Sequence, residues 1–155
     1  MSFFPRLIVA LRKPVVMAVK KPTPLTYIGA GRLRQAAELL RQIGSHRVLV
    51  MTTPGMMRRG QLDQTLSELQ ENGMEAVVFD RVSPDPTFGV VEEAVSCGAG
   101  CDAILAVGGG SVIDCAKFIS LGSGLGEDED LWYDYVETGK PAPENLVPLG
   151  VVLTT

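Results

Sequence analysis

The sequence predicts a single α/β domain built on a parallel sheet with helices on both faces. Short apolar runs bounded by turn residues recur along the chain, as expected of parallel strands that are buried on both faces. Between them lie segments of about 12 residues whose apolar positions are three and four apart, the spacing of an amphipathic helix. Strands that alternate with such helices form βαβ units, and their right-handed crossovers build a parallel sheet with helices on its two faces.

The composition is that of an ordinary globular protein. The chain has 155 residues, of which 46% are hydrophobic and 21% are charged, and this balance argues against intrinsic disorder, collagen and coiled coil. His46 is the single histidine. A metal site made of several histidines is therefore excluded within this chain, and a Ser/His/Asp triad would depend on this one residue.

Charge is unevenly distributed along the chain. The formal net charge of −4 gives no basic field for nucleic acid. Residues 1–21 carry five basic residues and no acid, which predicts an N-terminal basic arm that packs on a domain or a partner, with an interfacial membrane helix as the alternative. Leu7–Leu11 is too short for a secretory signal, and no stretch has the roughly 20 apolar residues of a membrane span. A stiff linker, Lys21–Pro24, leads into the predicted domain at residues 22–155.

The first elements follow this linker. Leu25–Ile28 is predicted as a short strand, and a glycine turn leads from it into a helix over Arg32–Ile43 with apolar residues at helical spacing. Gly44 ends that helix, as a C-terminal glycine does. The apolar run Arg47–Met51 predicts a buried strand.

Four further elements follow in the same alternation. Met56–Asn72 is predicted as one helix with leucines along one stripe, and Glu75–Phe79 as the next strand. Thr87 is positioned to cap a helix that runs to about Gly98. Asp102–Val107 is then another strand.

The last elements surround a glycine-rich turn. Gly108–Ser111 leads into a helix with Val112, Ile113, Ala116 and Ile119 as its apolar side. Leu131–Val136 is predicted as a short aromatic helix, and Leu149–Leu153 as the final strand. The complete order of elements is Rossmann-like.

The strongest candidate site is the Gly108–Ser111 turn. Glycines without Cβ atoms let the backbone approach an anion, and the following helix directs unpaired N–H groups and its positive dipole end towards it. The turn lacks both the G-x-G-x-x-G fingerprint and the Gly-Lys-Ser/Thr ending of a P-loop. A glycine turn without a ligand remains the alternative. Asp114 and Lys117 lie on the first turns of the helix, either as a surface pair or close to a cofactor.

Cysteines and acidic residues give weaker signals. Cys97, Cys101 and Cys115 form no Cys-x-x-Cys pair, which fits a reduced cytoplasm, and they are interpreted as core residues rather than metal ligands. Glu127–Asp130 lacks the spacing of a calcium loop and is interpreted as a solvated acidic loop. The neighbouring Trp132, Tyr133 and Tyr135 are expected to anchor the short helix to the domain, with stacking on a ligand as the alternative.

The run Gly108–Lys117, GGGSVIDCAK, resembles the GGGSxxDxAK signature of the iron-containing (group III) alcohol dehydrogenases. Further segments resemble the family in the same order, and the last two are similar to its butanol dehydrogenase and NADPH-dependent aldehyde reductase branch: Tyr27–Gly31, Asp85–Thr87, Leu131–Asp134 with Gly139 and Lys140, and Pro148–Thr154. The resemblance covers residues 25–155.

This resemblance implies a two-domain dehydrogenase. Its N-terminal α/β half binds NAD(P), and a helical C-terminal half holds a divalent metal, Fe or Zn, on one Asp and three His. Carried over by position, the diphosphate-binding segment corresponds to Gly109, Gly110, Ser111 and Asp114, and the start of the cofactor-contacting Thr-rich segment to Thr154 and Thr155. Asp85 lies where many members have a cofactor-contacting Asn.

The choice of cofactor depends on Thr53, which lies where NAD-preferring members have an Asp. A carboxylate there accepts from the ribose 2′-OH and repels a 2′-phosphate. Thr53 does neither strongly, and Arg58 and Arg59 follow within a helical turn or two. NADP is therefore permitted and slightly favoured, with solvated arginines as the alternative.

The function expected from the resemblance is hydride transfer between NAD(P) and a small alcohol or aldehyde. The metal-binding half is not in this chain, so the 155-residue piece is expected to bind nucleotide and to be inactive alone. A cytoplasmic location is expected, and a homodimer is left open. The alternatives are a dehydroquinate synthase-like or glycerol dehydrogenase-like relative, and a non-enzymatic nucleotide-binding or flavodoxin-like module.

Overall fold

A four-stranded parallel sheet with helices on both faces makes up the computed structural model, which describes residues 33–126, 128–143 and 146–154. The strands are β1 (Arg47–Met51), β2 (Glu75–Phe79), β3 (Ala103–Gly108) and β4 (Leu149–Leu153). The helices are α1 (Leu33–Gln42), α2 (Pro54–Arg58), α3 (Asp63–Glu71), α4 (Phe88–Cys97) and α5 (Gly110–Gly122), followed by a π-helical segment (Leu131–Glu137). The strand order is β2-β1-β3-β4 and every pairing is parallel. The predicted α/β class is confirmed.

Two apolar cores lie on opposite faces of the sheet, because successive side chains of a strand point to opposite sides. Leu49 and Met51 of β1 pack into one core with residues of α4 and α5. Val48 and Val50 pack into the other core with residues of α1, α2 and α3. Every residue of β3 is buried. The apolar runs in the sequence are thus explained by strands that are covered on both faces.

The segment predicted as one helix, Met56–Asn72, consists of two helices, α2 and α3, so that prediction is wrong. Gly60 interrupts it with a φ of +65°, a left-handed conformation that L-residues rarely adopt. α2 begins earlier than predicted, since Thr53 caps its N-terminus and Pro54 occupies its first turn. Leu62, between the two helices, is fully buried and joins the core on the α1 side.

The structure confirms the predicted end of α1 and the predicted start of α4, but not the predicted cap of α4. Gly44 adopts a φ of +83° after α1, and the N–H of Ser45 donates to the carbonyl of Leu40 at 3.0 Å, as in a glycine-terminated helix. Thr87 precedes α4 with extended backbone, but its side chain makes no capping hydrogen bond. Its predicted capping role is therefore wrong, although the start of the helix is correct.

The segment predicted as a short aromatic helix is the π-helical segment. The Asp130 side chain accepts a hydrogen bond from the N–H of Tyr133 at 2.6 Å and so caps its N-terminus. The Trp132 ring packs edge-to-face on the ring of Phe88 in α4, with centroids 5.4 Å apart. The predicted anchoring of this segment by Trp132 is confirmed, whereas Tyr133 is exposed.

The prediction that the neighbouring acidic loop is solvated is wrong for Glu129, whose carboxylate is bound by other residues of the chain. Its carboxylate forms an ion pair with Lys140 and accepts hydrogen bonds from the Tyr135 hydroxyl at 2.8 Å and from the N–H of Gly126 at 2.9 Å. These bonds hold the pKa of Glu129 at about 2, below the ordinary value of 4.5, and the Lys140 bond is the largest cause. Glu129 therefore organises this loop, while Asp128 is exposed.

Some predicted features lie outside the described residues. They are the strand at Leu25–Ile28, the basic arm at residues 1–21 and the domain boundary after residue 21. The described residues belong to one compact unit. None of the helices within them is long and apolar enough to cross a membrane.

Candidate functional site

The four strands end at the same edge of the sheet, which we call the carboxyl edge. Their last residues there are Met51, Phe79, Gly108 and Leu153. β1 and β3 are neighbours, yet β1 leads into α2 on one face and β3 leads into α5 on the other. Open α/β sheets bind ligands in the crevice at such a divergence. The candidate site is therefore the carboxyl edge between β1 and β3.

The glycine-rich turn lies on the β3 side of this crevice. A Cβ atom on Gly108 would lie 2.7 Å from Cγ2 of Val112, so this position packs directly against α5 and excludes a side chain. Among the described residues, and apart from chain neighbours and the backbone of α5 itself, Cβ atoms on Gly109 and Gly110 would meet no atom within 4 Å. The first glycine is thus needed for packing, while the next two leave open space at the start of α5.

Backbone amides face this open space. The carbonyl of Gly109 accepts from the N–H groups of Val112 and Ile113 at 3.1 and 3.2 Å, so Gly109 is the N-cap of α5. Gly110 and Ser111 follow as the first two helical residues, and helix geometry leaves their N–H groups without an acceptor inside the helix. With the helix dipole, these donors form an arrangement that suits an anion such as a diphosphate.

Two threonines border the same crevice. The Thr53 hydroxyl accepts from the N–H of Met56 at 3.3 Å and caps α2. The N–H of Thr154 donates to the carbonyl of Gly108 at 3.1 Å, and its hydroxyl lies 4.0 Å from Sδ of Met56. The ends of β3 and β4 and the start of α2 thus lie together. Of the two C-terminal threonines predicted as site residues, Thr155 lies outside the described residues.

Asp114 and Lys117 lie on the exposed side of α5. Lys117 Nζ lies 2.8 Å from Asp114 Oδ1, with both side chains more than half exposed. They form a helix-surface ion pair, which contributes little to stability. The predicted role of Asp114 near a cofactor stays a prediction.

Asp85 lies on the loop after β2, on the far side of β1 from the glycine-rich turn. Its φ of +51° is the one left-handed conformation of a non-glycine residue among the described residues. Asn and Asp tolerate this conformation better than other side chains do. That tolerance accounts for Asp at a position where the resembled family has Asn. Within the described part of the chain, no hydrogen bond joins Asp85 to the glycine-rich turn, and its cofactor contact stays a prediction.

The described residues do not fit a metal ion. They contain no group of three or more His, Cys, Asp or Glu side chains able to hold one. His46 precedes β1 at the opposite edge of the sheet. Cys115 is buried in the core, and burial raises the pKa of its thiol to about 11, which disfavours the thiolate that binds metals. Cys97 and Cys101 pack against the same core, which confirms the interpretation of the cysteines as core residues.

Thr52 is a further residue of the candidate site, and the sequence alone does not single it out. It follows β1 directly and is fully buried. Its hydroxyl donates to the carbonyl of Val107 at 3.0 Å, one residue before the glycine-rich turn begins. The available signal was a hydroxyl residue directly after a buried apolar strand, since a buried hydroxyl requires a partner.

Sequence comparisons identify relatives of this chain. A family model described as iron-containing alcohol dehydrogenase matches residues 23–155. The probable NADH-dependent butanol dehydrogenase 1 of Bacillus subtilis is 36% identical over 135 residues, covering 86% of this chain and 34% of the relative. The NADPH-dependent aldehyde reductase YqhD of Escherichia coli is 35% identical over 111 residues, covering 70% and 28%. The resemblance to the butanol dehydrogenase and aldehyde reductase branch is confirmed.

Solved structures agree with this assignment. The NADH-dependent butanol dehydrogenase A of Thermotoga maritima superposes with a TM-score of 0.72 at 30% identity, covering 84% of this chain and 34% of that structure. The chain thus spans about a third of the length of the relatives it matches. The family match covers most of the chain and includes the glycine-rich turn and both of the strands that flank it. The chain is a member of the iron-containing alcohol dehydrogenase family.

Proposed function

We propose that this chain is the N-terminal cofactor-binding part of an NAD(P)-dependent alcohol dehydrogenase or aldehyde reductase that acts on a small alcohol or aldehyde. One observation carries the proposal: the open space beside Gly109 and Gly110 at the N-terminus of α5, where β1 and β3 diverge. Membership of the family supports the same function.

The roles of the residues follow from this geometry. The N–H groups of Gly110 and Ser111 donate to the cofactor diphosphate, and the positive end of α5 offsets its charge. Thr154, tied to Gly108 by its N–H, borders the same space. The bound nicotinamide supplies hydride transfer. The family also implies a divalent metal, which the described residues by themselves do not fit.

The start of α2 supports NADP over NAD. Thr53 brings no negative charge to the end of β1, and a guanidinium nitrogen of Arg59 lies 3.1 Å from the position that a Cβ atom on Gly55 would occupy. Arg59 therefore folds back over the first turn of α2, the helix that Thr53 caps. A cation in this position favours a 2′-phosphate. A cytoplasmic location is proposed as well, since Cys97, Cys101 and Cys115 are free thiols.

The test is a titration of the full chain with NADPH and with NADH, in which binding is measured by calorimetry and by nicotinamide fluorescence. We expect both to bind, NADPH more tightly. Gly110→Ala places a methyl group in the open space, and we expect it to raise the Kd about tenfold while the fold is retained.

Gly89→Ala is the matched control. Gly89 lies in the first turn of α4, where an added Cβ meets nothing closer than 3.9 Å. We expect it to leave the Kd unchanged. Absence of binding by the folded wild-type chain, or equal loss in both variants, would contradict the proposed function.

A further inference from the structure

Thr52 lies where the β1–β3 ladder ends. The last paired residues of this ladder are Met51 and Ala106, whereas β3 continues its pairing with β4 as far as Gly108 and Leu153. Beyond this point β1 and β3 lead to opposite faces of the sheet. The backbone of β3 next to the glycine-rich turn has therefore lost the regular ladder on its β1 side.

Where the β1–β3 ladder ends, the Thr52 side chain provides the next hydrogen bond to β3. Its hydroxyl donates to the carbonyl of Val107 at 3.0 Å, and its N–H donates to the carbonyl of Phe79 at 3.0 Å. Thr52 is fully buried and Val107 is 3% exposed, so water cannot replace the bond between them. One buried residue thus ties the ends of β2, β1 and β3 together.

The carbonyl of Val107 belongs to the peptide group that leads into Gly108, the first residue of the turn. The next carbonyl, of Gly108, accepts from the N–H of Thr154 on the β4 side. The backbone just before Gly109 is therefore held from β1 by a side-chain hydroxyl and from β4 by a backbone amide.

We propose that Thr52 is a positioning residue for cofactor binding, which holds the Val107–Gly108 peptide so that the Gly110 and Ser111 N–H groups converge on the diphosphate. This inference rests on the proposed function, since it names a further determinant of the same site. Thr52 acts through the backbone and needs no contact with the ligand.

The test compares two substitutions in the full chain. Thr52→Val keeps the shape but leaves the buried Val107 carbonyl without its donor, and Thr52→Ser keeps the donor. We expect Thr52→Val to raise the Kd for NADPH about five- to tenfold, and Thr52→Ser to remain within about twofold of the wild type. The Kd is measured well below the unfolding temperature of each variant, so that a loss of stability alone does not change it.

Thr65→Val is the matched control. Thr65 is also buried, 2% exposed on α3, and its hydroxyl has no hydrogen-bond partner in the described part of the chain. We expect no change in Kd from this variant. An unchanged Kd in Thr52→Val, no rescue by Thr52→Ser, or an equal loss in Thr65→Val would overturn the proposal.

A second measurement does not depend on the cofactor. In the free chain, Thr52→Val should shift the backbone amide resonances of Gly109, Gly110 and Ser111 and speed their hydrogen exchange, while Thr52→Ser and Thr65→Val leave them near their wild-type values. If the wild-type chain binds neither NADPH nor NADH, the proposed function fails, and these resonances still decide whether Thr52 positions the turn. Unshifted amides in Thr52→Val would overturn the positioning role even where cofactor binds.

Discussion

Reciprocal hydrogen bonds join Arg47, the first residue of β1, to Asp102, which directly precedes the neighbouring strand β3. Asp102 Oδ1 accepts from the N–H of Arg47 at 3.2 Å, and the N–H of Asp102 donates to the carbonyl of Arg47 at 2.9 Å. Asp102 Oδ2 also accepts from the N–H of His46 at 2.8 Å. The Arg47 guanidinium donates to Glu75 Oε1 and to the carbonyl of Ala99, both at 3.2 Å. At the edge of the sheet opposite the candidate site, the strand starts are thus held together by hydrogen bonds from polar side chains.

Asp102→Ala should lower stability without affecting cofactor binding. It removes the acceptor for two backbone N–H groups, and we expect the free energy of unfolding to fall by about 1–2 kcal/mol. Denaturant unfolding measures this change, and the NADPH titration should give the wild-type Kd. A higher Kd in the folded variant would show that this edge of the sheet is coupled to the candidate site.

Gly108→Ala should destabilise the chain through one specific clash. The new methyl group would lie 2.7 Å from Cγ2 of Val112, and overpacking of this kind costs about 1–3 kcal/mol. In the double variant with Val112→Ala the added loss should be smaller than for Gly108→Ala in the wild type, because Cγ2, the nearest atom, is gone and only Cβ of residue 112 remains, at 3.0 Å. Strictly additive losses in denaturant unfolding would contradict the clash.

The free energy of unfolding should fall in acid because the Glu129 carboxylate becomes protonated and loses its partners. Its pKa is about 2 in the folded chain, against an ordinary value of 4.5. A carboxyl group with a lowered folded pKa contributes stability that is complete above the unfolded pKa and is lost as the pH falls from 4.5 towards 2. Glu129→Gln should reduce the fall in unfolding temperature over this range. An identical pH profile in the variant and the wild type would refute the role of this carboxylate.

Thr53→Asp should shift the cofactor preference towards NADH. The new carboxylate would repel a 2′-phosphate and accept from a ribose 2′-OH, and we expect the ratio of NADPH to NADH affinity to fall about tenfold. The fold should be retained, since Asp caps a helix as well as Thr does. Gln70→Asp adds the same charge on the exposed side of α3 and should leave the ratio unchanged. A ratio that stays constant in Thr53→Asp would argue against cofactor discrimination at this position.

Cys115 should resist alkylation in the folded chain. It is 1% exposed, and burial raises the pKa of its thiol to about 11, so both access and thiolate formation are suppressed near neutral pH. Mass spectrometry after brief iodoacetamide treatment should find label on Cys97 before Cys115. Labelling of Cys115 at the rate seen in denaturant would indicate that α5 opens readily.

The strands could be predicted accurately because their signal is local. Arg47–Met51, Glu75–Phe79 and Leu149–Leu153 match the predicted bounds, since an apolar run between turn residues has few alternatives inside a covered parallel sheet. The break between α2 and α3 could not be predicted from the same pattern. The leucine stripe, Leu62, Leu66 and Leu69, lies wholly after Gly60 and so does not mark the break, which is visible in the left-handed backbone conformation at that glycine.

The candidate site was predictable where glycine pattern and resemblance agree, at Gly109, Gly110 and Ser111. Their neighbours depend on contacts between residues distant in sequence. Thr154 reaches Gly108 and Met56, and Thr52 reaches Val107 across 55 residues. No local pattern encodes such pairings, because each depends on the register between strands.

The sequence by itself determined the α/β class, the position of the glycine-rich turn and the family, because periodicity and motif spacing are properties of neighbouring residues. Only the tertiary structure decided which strands lie side by side, and therefore where β1 and β3 diverge. That divergence leaves the Val107 carbonyl beside Thr52 and opens the space at Gly109 and Gly110. Strand order depends on how helices and strands share two cores, which is a balance over the whole chain rather than a property of any one segment.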